Sequence, residues 1–229
     1  MDQPARFGAV SSAIRAFARS DKPTGPAAHT PAGPVITISR EAGIEAGPMA
    51  RRLAERLNEL RPGDPPWLSY DRELVERVAQ DHELSEDLVA QFDEQDRSWI
   101  EHFAAGFSGL RSGTDIAMKT AKTIRGVARI GRAIIVGRGG SVILSGMGHA
   151  RHVRLMAPIE WRAEHVAQRE GIDEKDARRQ LEETDDARRK YIRNHFGKDI
   201  NDPSLYDVTI NLRRIDDDHA VRMLEQLLP

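Results

Sequence analysis

Short apolar runs alternate with amphipathic stretches along most of the chain. The runs are rich in β-branched residues, which predicts strands, whereas the stretches repeat apolar residues every three or four positions, which predicts helices. The predicted strands are residues 34–39, 67–70, 133–136, 152–156 and 206–211. Strands that alternate with helices favour a parallel sheet covered on both faces, the α/β class. Ligands of such sheets bind beyond the carboxyl ends of the strands, so we expect the functional residues there.

The predicted helices differ in how clearly they are marked. Met49, Leu53 and Leu57 share one face of a helix that follows the first strand. Asp71 is the predicted N-cap of the next helix, although its carboxylate could instead contact a ligand. The other predicted helices are residues 84–130 with a break near 106–113, 159–170 after Pro158, a highly charged segment at 173–197, and 216–228.

The chain is long enough for one α/β domain, and its first residues differ from the rest. Residues 11–19 have the composition of a short helix, and residues 21–34 are rich in Pro, Gly and Ala, which favours coil. We therefore expect a flexible N-terminal extension over residues 1–33 and a single domain over residues 34–229.

Charge and cysteine content exclude several classes of function. The 34 basic and 36 acidic residues give a net charge of -2, so no global field favours a nucleic acid or an anionic membrane. The chain has no cysteine, and its longest apolar runs are far shorter than the roughly 20 residues that span a bilayer. None of the eight histidines has metal-ligand spacing, so no protein-bound metal is predicted. A cytoplasmic location is expected.

The loop after the first strand lies where a phosphate-binding loop would lie. Gly43 and Gly47 would let its backbone amides approach a phosphate closely. The full motif requires a Lys and a Ser or Thr after the second glycine, and this chain has Pro48 and Met49 there. The alternative is an ordinary tight turn between a strand and a helix.

Charged residues around this loop have opposing effects on the binding of a phosphate. Glu41 and Glu45 would repel a triphosphate, whereas Arg40 could replace the missing positive charge. The candidate donor-binding residues are Ser39, Arg40, Gly43 and Gly47.

Six short motifs occur in order over residues 35–227. They are Ile-Thr-Ile-Ser-Arg-Glu at 36–41, Tyr-Asp-Arg-Glu-Leu at 70–74, Ile-Val-Gly-Arg-Gly at 135–139, Ala-Pro-Ile-Glu-Trp-Arg at 157–162, Asp-Asp-Ala-Arg at 185–188 with Tyr191, and Phe-Gly-Lys-Asp at 196–199 before the last strand. By these motifs the chain resembles the cytidylate kinase-like family. Members usually carry Gly-Ser-Gly-Gly in the first loop, where this chain has Gly-Ile-Glu-Ala at 43–46. The departure affects the site of the phosphate donor.

The resemblance implies a fold, a reaction and a set of ligands. The expected fold is a three-layer P-loop kinase-like α/β fold with an about five-stranded parallel sheet and a helical lid at about 173–200. The expected reaction transfers the γ-phosphoryl group of ATP to a nucleoside monophosphate, with cytidylate-like acceptors favoured and ATP and Mg²⁺ as donor and cofactor. A catalytically impaired nucleotide-binding or regulatory module is the alternative, and a docking protein that uses the charged hairpin is a third. Apart from the resemblance, the helices of residues 84–130 could pack on the sheet or on a second subunit, and the latter would give a homo-oligomer.

The resemblance also implies roles for three residues, and the helix after Pro158 adds a fourth candidate. Arg138 matches the arginine that grips the monophosphate, and Asp185 and Arg188 match a lid pair that meets the sugar and the transferring phosphate. Arg162, on the helix after Pro158, is a further candidate for substrate binding. The alternatives are an arginine paired over a glycine turn for Arg138, an ordinary ion pair on one helix face for Asp185 and Arg188, and a surface charge for Arg162.

Overall fold

A parallel sheet lies at the centre of the molecule, whose computed structural model describes residues 3–19, 33–62, 64–90, 92–105, 114–137 and 139–228. Its five strands have the order β2-β3-β1-β4-β5, and all neighbours are parallel. The strands are β1 (Val35–Arg40), β2 (Leu68–Tyr70), β3 (Ala133–Val136), β4 (Ala150–Met156) and β5 (Val208–Asn211). These strands confirm the five predicted from the apolar runs.

Helices cover both faces of the sheet. They are α1 (Gln3–Arg19), α2 (Ala46–Leu60), α3 (Arg72–Gln80), α4 (His82–Val89), α5 (Glu94–Ala105), α6 (Thr114–Ile130), α7 (Gly140–Ile143), α8 (Ile159–Glu170), α9 (Glu174–Phe196) and α10 (Asp217–Glu225). Asp71 caps α3 by accepting a hydrogen bond from the backbone N–H of Leu74, as predicted. The long helical region predicted after residue 84 contains α4, α5 and α6.

Two cores lie on opposite faces of the sheet. On one face the apolar sides of α2 and α10 pack on Ile36 and Ile38 of β1. On the other face α3, α4, α6 and α7 pack around Val35 and Ile135. A third, smaller core joins α8 and α9 to the loop after β1. The expected three-layer α/β arrangement with an about five-stranded parallel sheet is therefore confirmed.

The strand order creates a crevice next to β1. The chain leaves β1 toward the face covered by α2, whereas it leaves the neighbouring β3 toward α7 on the opposite face. The two loops therefore separate at the carboxyl ends of these strands, and such switch points are where open α/β sheets bind ligands.

The first helix is part of the domain. In α1, Val10 and Ile14 are each 1% exposed and pack in the core beside α4 and α6. Arg6 Nη1 lies 2.7 Å from Asp71 Oδ2, and the guanidinium of Arg77 lies 4.1 Å from the ring centre of Phe7. Over residues 3–19 the structure differs from the expected flexible extension, because this apolar face has a partner. Residues 1–2 and 20–32 lie outside the described residues.

Candidate functional site

A cavity of about 310 Å³ opens beyond the carboxyl ends of β1 and β3. Its floor includes Thr37 of β1 and Gly140 of α7, and its roof is α9, which contributes Arg188 and Tyr191. Arg72, just after β2, also lines it. The cavity therefore lies where the strand order predicts a ligand site, beneath the charged helix expected to act as a lid.

Glycines shape the turn after β3. Gly137 and Gly139 have φ values of 84° and 76°, which residues with a side chain adopt only with strain. A Cβ on Gly140 would lie 3.0 Å from the Cβ of Thr37, so this backbone lies directly on β1. Arg138, between two of these glycines, lies outside the described residues, and its role in gripping a monophosphate stays a prediction.

The loop after β1 is packed against α8 and α9. Gly43 has a φ of +83°, and a Cβ there would lie 2.9 Å from Leu181 Cδ2 and 3.0 Å from Val166 Cγ2. The backbone N–H of Ala42 donates to Asp185 Oδ1 over 2.7 Å. In this arrangement Leu181 and Val166 lie directly against Gly43, and a carboxylate already accepts from one of the loop's amides. Gly47 lies inside α2 rather than at the turn of the loop.

Arg162 joins three segments at this loop. Its Nη1 donates to Asp185 Oδ2 over 2.7 Å and to the carbonyl oxygen of Ala42 over 3.1 Å. Its Nε donates to the carbonyl oxygen of Ala157 over 2.9 Å and lies 3.4 Å from Glu41 Oε2. Arg162 is 6% exposed. It is therefore a buried connection between the loop, α8 and α9 rather than a surface charge.

Arg188 points from α9 toward the end of β1. Its Nη1 donates to the carbonyl oxygen of Arg40 over 3.0 Å. Burial lowers the pKa of Arg188; nearby Asp185 raises this pKa, and the guanidiniums of Arg154, Arg162 and Arg72 lower it. The surroundings of Arg188 are thus rich in positive charge, which suits an anionic ligand.

Ser39 and Arg40 lie at the carboxyl end of β1 and line the cavity. Ser39 Oγ accepts from Arg154 Nη1 over 2.9 Å. Arg40 extends across the crevice, since a side chain on Gly137 would collide with its Nη1. Of the residues predicted from the first loop, these two contribute to the cavity that α9 covers.

Residues in or beside this cavity were missed from the sequence, Thr37, Arg154 and Tyr206 among them. Arg154 lies on β4 and is 8% exposed, and Tyr206 donates through its hydroxyl to the carbonyl oxygen of Ile200 over 2.8 Å. Thr37 Oγ1 lies 2.8 Å from Nδ1 of His152 on β4. An arginine between Val153 and Leu155 in the predicted strand was the one signal that could have revealed Arg154.

The carboxylates near the loop are poor candidates for binding magnesium. Asp185 pairs with Arg162, and Glu41 accepts from the backbone N–H of Ala157 over 3.0 Å. In the described part of the chain, no group of three or more His, Asp or Glu side chains is arranged to hold a metal ion. The residues present therefore do not fit a magnesium ion held by the protein at this loop.

No helix within the described ranges is both long and apolar enough to cross a membrane.

Comparisons with known proteins agree with the motifs. The profile of the cytidylate kinase-like family matches residues 35–214. A cytidylate kinase from Methanopyrus kandleri is 29% identical over 201 residues, which cover 83% of this chain and 91% of that enzyme. A cytidylate kinase from Thermococcus sibiricus is 49% identical over 59 residues, 26% of this chain and 31% of that enzyme.

A solved structure has the same fold. The crystal structure of an uncharacterized protein from Eubacterium ventriosum aligns with a TM-score of 0.66 at 26% identity and covers 84% of this chain and 96% of that one. The family profile extends from β1 to the segment after β5 and so includes every strand of the sheet. The chain belongs to the cytidylate kinase-like family.

Proposed function

We propose that the protein is a nucleoside monophosphate kinase that transfers the γ-phosphoryl group of ATP to a cytidylate-like acceptor. One observation carries the proposal: in a member of this family, the cavity under α9 brings together arginines from three separate segments, Arg40, Arg72 and Arg188. Guanidinium groups that converge on one cavity are typical of sites for phosphorylated ligands.

The cavity has the size and lining for a mononucleotide. Its volume of about 310 Å³ is at the lower end of the range for small-molecule sites, about 300–1,000 Å³. Tyr191 and Tyr206 supply aromatic surface, while Ser39 and Ser141 supply hydroxyl groups. The aromatic surface suits a base, and the hydroxyls suit the sugar and phosphate.

Arg188 is the residue to which we assign transition-state stabilisation. Phosphoryl transfer depends on positioning and on neutralising charge more than on a covalent nucleophile. Arg188 lies on the roof of the cavity and is half-buried, so its charge is screened less than that of a fully exposed arginine. Asp185 and Arg162 then act as positioning residues, because their ion pair ties α9 to the first loop.

Binding of the donor requires a rearrangement of the first loop. The phosphates of ATP would need the amide of Ala42 and the space beside Gly43, which Asp185 and Leu181 fill. We infer that α9 moves away from the loop when the donor binds, so that Asp185 and Leu181 leave the space that the donor phosphates need.

A coupled assay of ADP formation tests the proposal. Wild-type protein with ATP and Mg²⁺ is assayed with CMP, dCMP, UMP and AMP as acceptors. We expect acceptor-dependent ADP formation that is fastest with a cytidine nucleotide. Arg188→Gln should lower kcat by about 10³-fold or more, the effect of losing an arginine that stabilises transferring phosphate.

The matched control is Arg179→Gln on the same helix. Arg179 is exposed and pairs with Asp176, so its loss should leave kcat unchanged. Absence of acceptor-dependent ADP formation with all four nucleotides would contradict the proposal, as would equal losses in the two variants.

A further inference from the structure

A second, polar cavity of about 150 Å³ adjoins the first, between the ends of β1 and β4 and the helix α9. Five arginines and two carboxylates line this arginine cavity. It shares Arg40 and Arg188 with the larger cavity, so the two are continuous around these side chains.

Both carboxylates of the arginine cavity already accept hydrogen bonds from protein groups. Asp185 accepts from the backbone N–H of Ala42 and from Arg162, each over 2.7 Å. Glu41 accepts from the backbone N–H of Ala157 and also lies beside Arg162. Arg162 therefore pairs with both carboxylates of the arginine cavity. The other four arginines give the cavity an excess of positive charge.

Arg154 carries this excess most clearly. It is 8% exposed, and its hydrogen bonds within the described residues are to neutral groups, Ser39 Oγ at 2.9 Å and Asn201 Oδ1 at 3.4 Å. No described carboxylate lies within 4.0 Å of the Arg154 guanidinium, the distance limit for an ion pair. A buried ion costs several kcal/mol of desolvation, which neutral partners offset only in part.

Arg188 is the second cation of the arginine cavity. Arg188 donates to a backbone carbonyl, and the charge of Arg154 contributes to its lowered pKa. Arg154 comes from β4 and Arg188 from α9, and both line the arginine cavity. Two mostly buried guanidiniums that repel each other are stabilised by an anion between them.

We propose that Arg154 is a ligand-binding residue that forms, with Arg188, a seat for the phosphoryl oxygens of the bound nucleotide. A volume of about 150 Å³ suits a tetrahedral oxyanion, and the larger cavity beside it suits the nucleoside. Forked N–H groups match phosphate oxygens, and charge-assisted hydrogen bonds of this kind are strong. The seat rests on the proposed function for the identity of its ligand, but inorganic phosphate tests it separately.

The test compares Arg154→Met with Arg151→Met. Met removes the charge and keeps much of the volume; Arg151, at the other end of β4, donates to the backbone carbonyls of Gly148 and Ala150. Titration calorimetry with inorganic phosphate, CMP and cytidine, together with the melting temperature, is measured for both variants and for wild type.

The expected result separates ligand binding from a structural role. Arg154→Met should weaken binding of phosphate and CMP by about tenfold or more and leave cytidine binding unchanged. Without ligand it should melt at or above the wild-type temperature, because an uncompensated buried charge has been removed. Arg151→Met should bind all three ligands as wild type does.

Unchanged affinity of Arg154→Met for phosphate would overturn the seat. If that variant does not fold, Arg154→Lys, which keeps the charge and loses the fork, decides the question through the same titrations, with weaker phosphate binding expected. Phosphate binding through Arg154 without ADP formation would overturn the kinase proposal and leave the seat intact. ADP formation at the wild-type rate in Arg154→Met would contradict the proposed role of Arg154 and leave the kinase proposal standing.

Discussion

Replacing Arg162 with Met should destabilise the protein strongly, because this buried side chain connects the first loop to α8 and α9. The substitution removes the cation that pairs with Asp185 over 2.7 Å and lies 3.4 Å from Glu41. Removing one partner of a buried ion pair costs about 3–5 kcal/mol. The lower end applies, about 3 kcal/mol, since both carboxylates keep a backbone N–H donor and are partly exposed.

Urea and thermal unfolding of the purified variant measure this cost. For a protein of this size, about 3 kcal/mol corresponds to a fall in melting temperature of roughly 6–12 °C. Arg169→Met is the matched control on the same helix, because Arg169 is partly exposed and its pairs with Glu45 and Glu170 contribute at most about 1 kcal/mol. A loss for Arg162→Met within about 1 kcal/mol of the control would refute this reasoning.

Three further predictions concern stability. Gly43→Ala should cost about 2 kcal/mol or more in urea unfolding, because it combines a positive φ with a Cβ that overlaps Leu181; a neutral result would mean that the loop is not packed as described. Asp96→Asn should cost about 3 kcal/mol, because this carboxylate is 0% exposed and pairs with two arginines of α6; a cost below about 1 kcal/mol would contradict its burial. Burial lowers the pKa of His149 and of His152, so the neutral forms are favoured in the folded state. The stability that the two histidines contribute is present above pH about 6.5 and is lost as pH falls through the lowered pKa values. The urea midpoint should therefore drop as pH falls below about 6.5, and drop less in His149→Gln; a midpoint that does not change with pH would contradict this prediction.

The sequence predicted the strands well because each contains a short run of apolar and β-branched residues. Ala133–Val136 is buried at every position, and such runs differ visibly from the charged helices around them. The packing of α1 was not predicted, because its apolar positions, Val10 and Ile14 among them, are diluted by Ala, Gly and Ser. The spacing of apolar residues in α1 also does not reveal which helices, distant in sequence, they pack against.

The candidate site was predictable only in part, since its contacts join distant segments. Local motifs indicated Asp185 and the loop at Ala42, but their hydrogen bond spans 143 residues and has no local signature. Gly47 matched the spacing of a phosphate loop and lies in the first turn of α2, so its role in donor binding stays a prediction. Arg154 was read as part of a strand, because nothing local shows that its charge faces a cavity.

A crystal structure of the protein with CMP tests most directly whether a nucleoside monophosphate binds beneath α9. The account predicts the cytidine in the larger cavity, between the glycine turn after β3 and Tyr191, and the phosphate between Arg154 and Arg188. CMP bound away from these residues, or an empty cavity at a CMP concentration that saturates the protein in calorimetry, would contradict it.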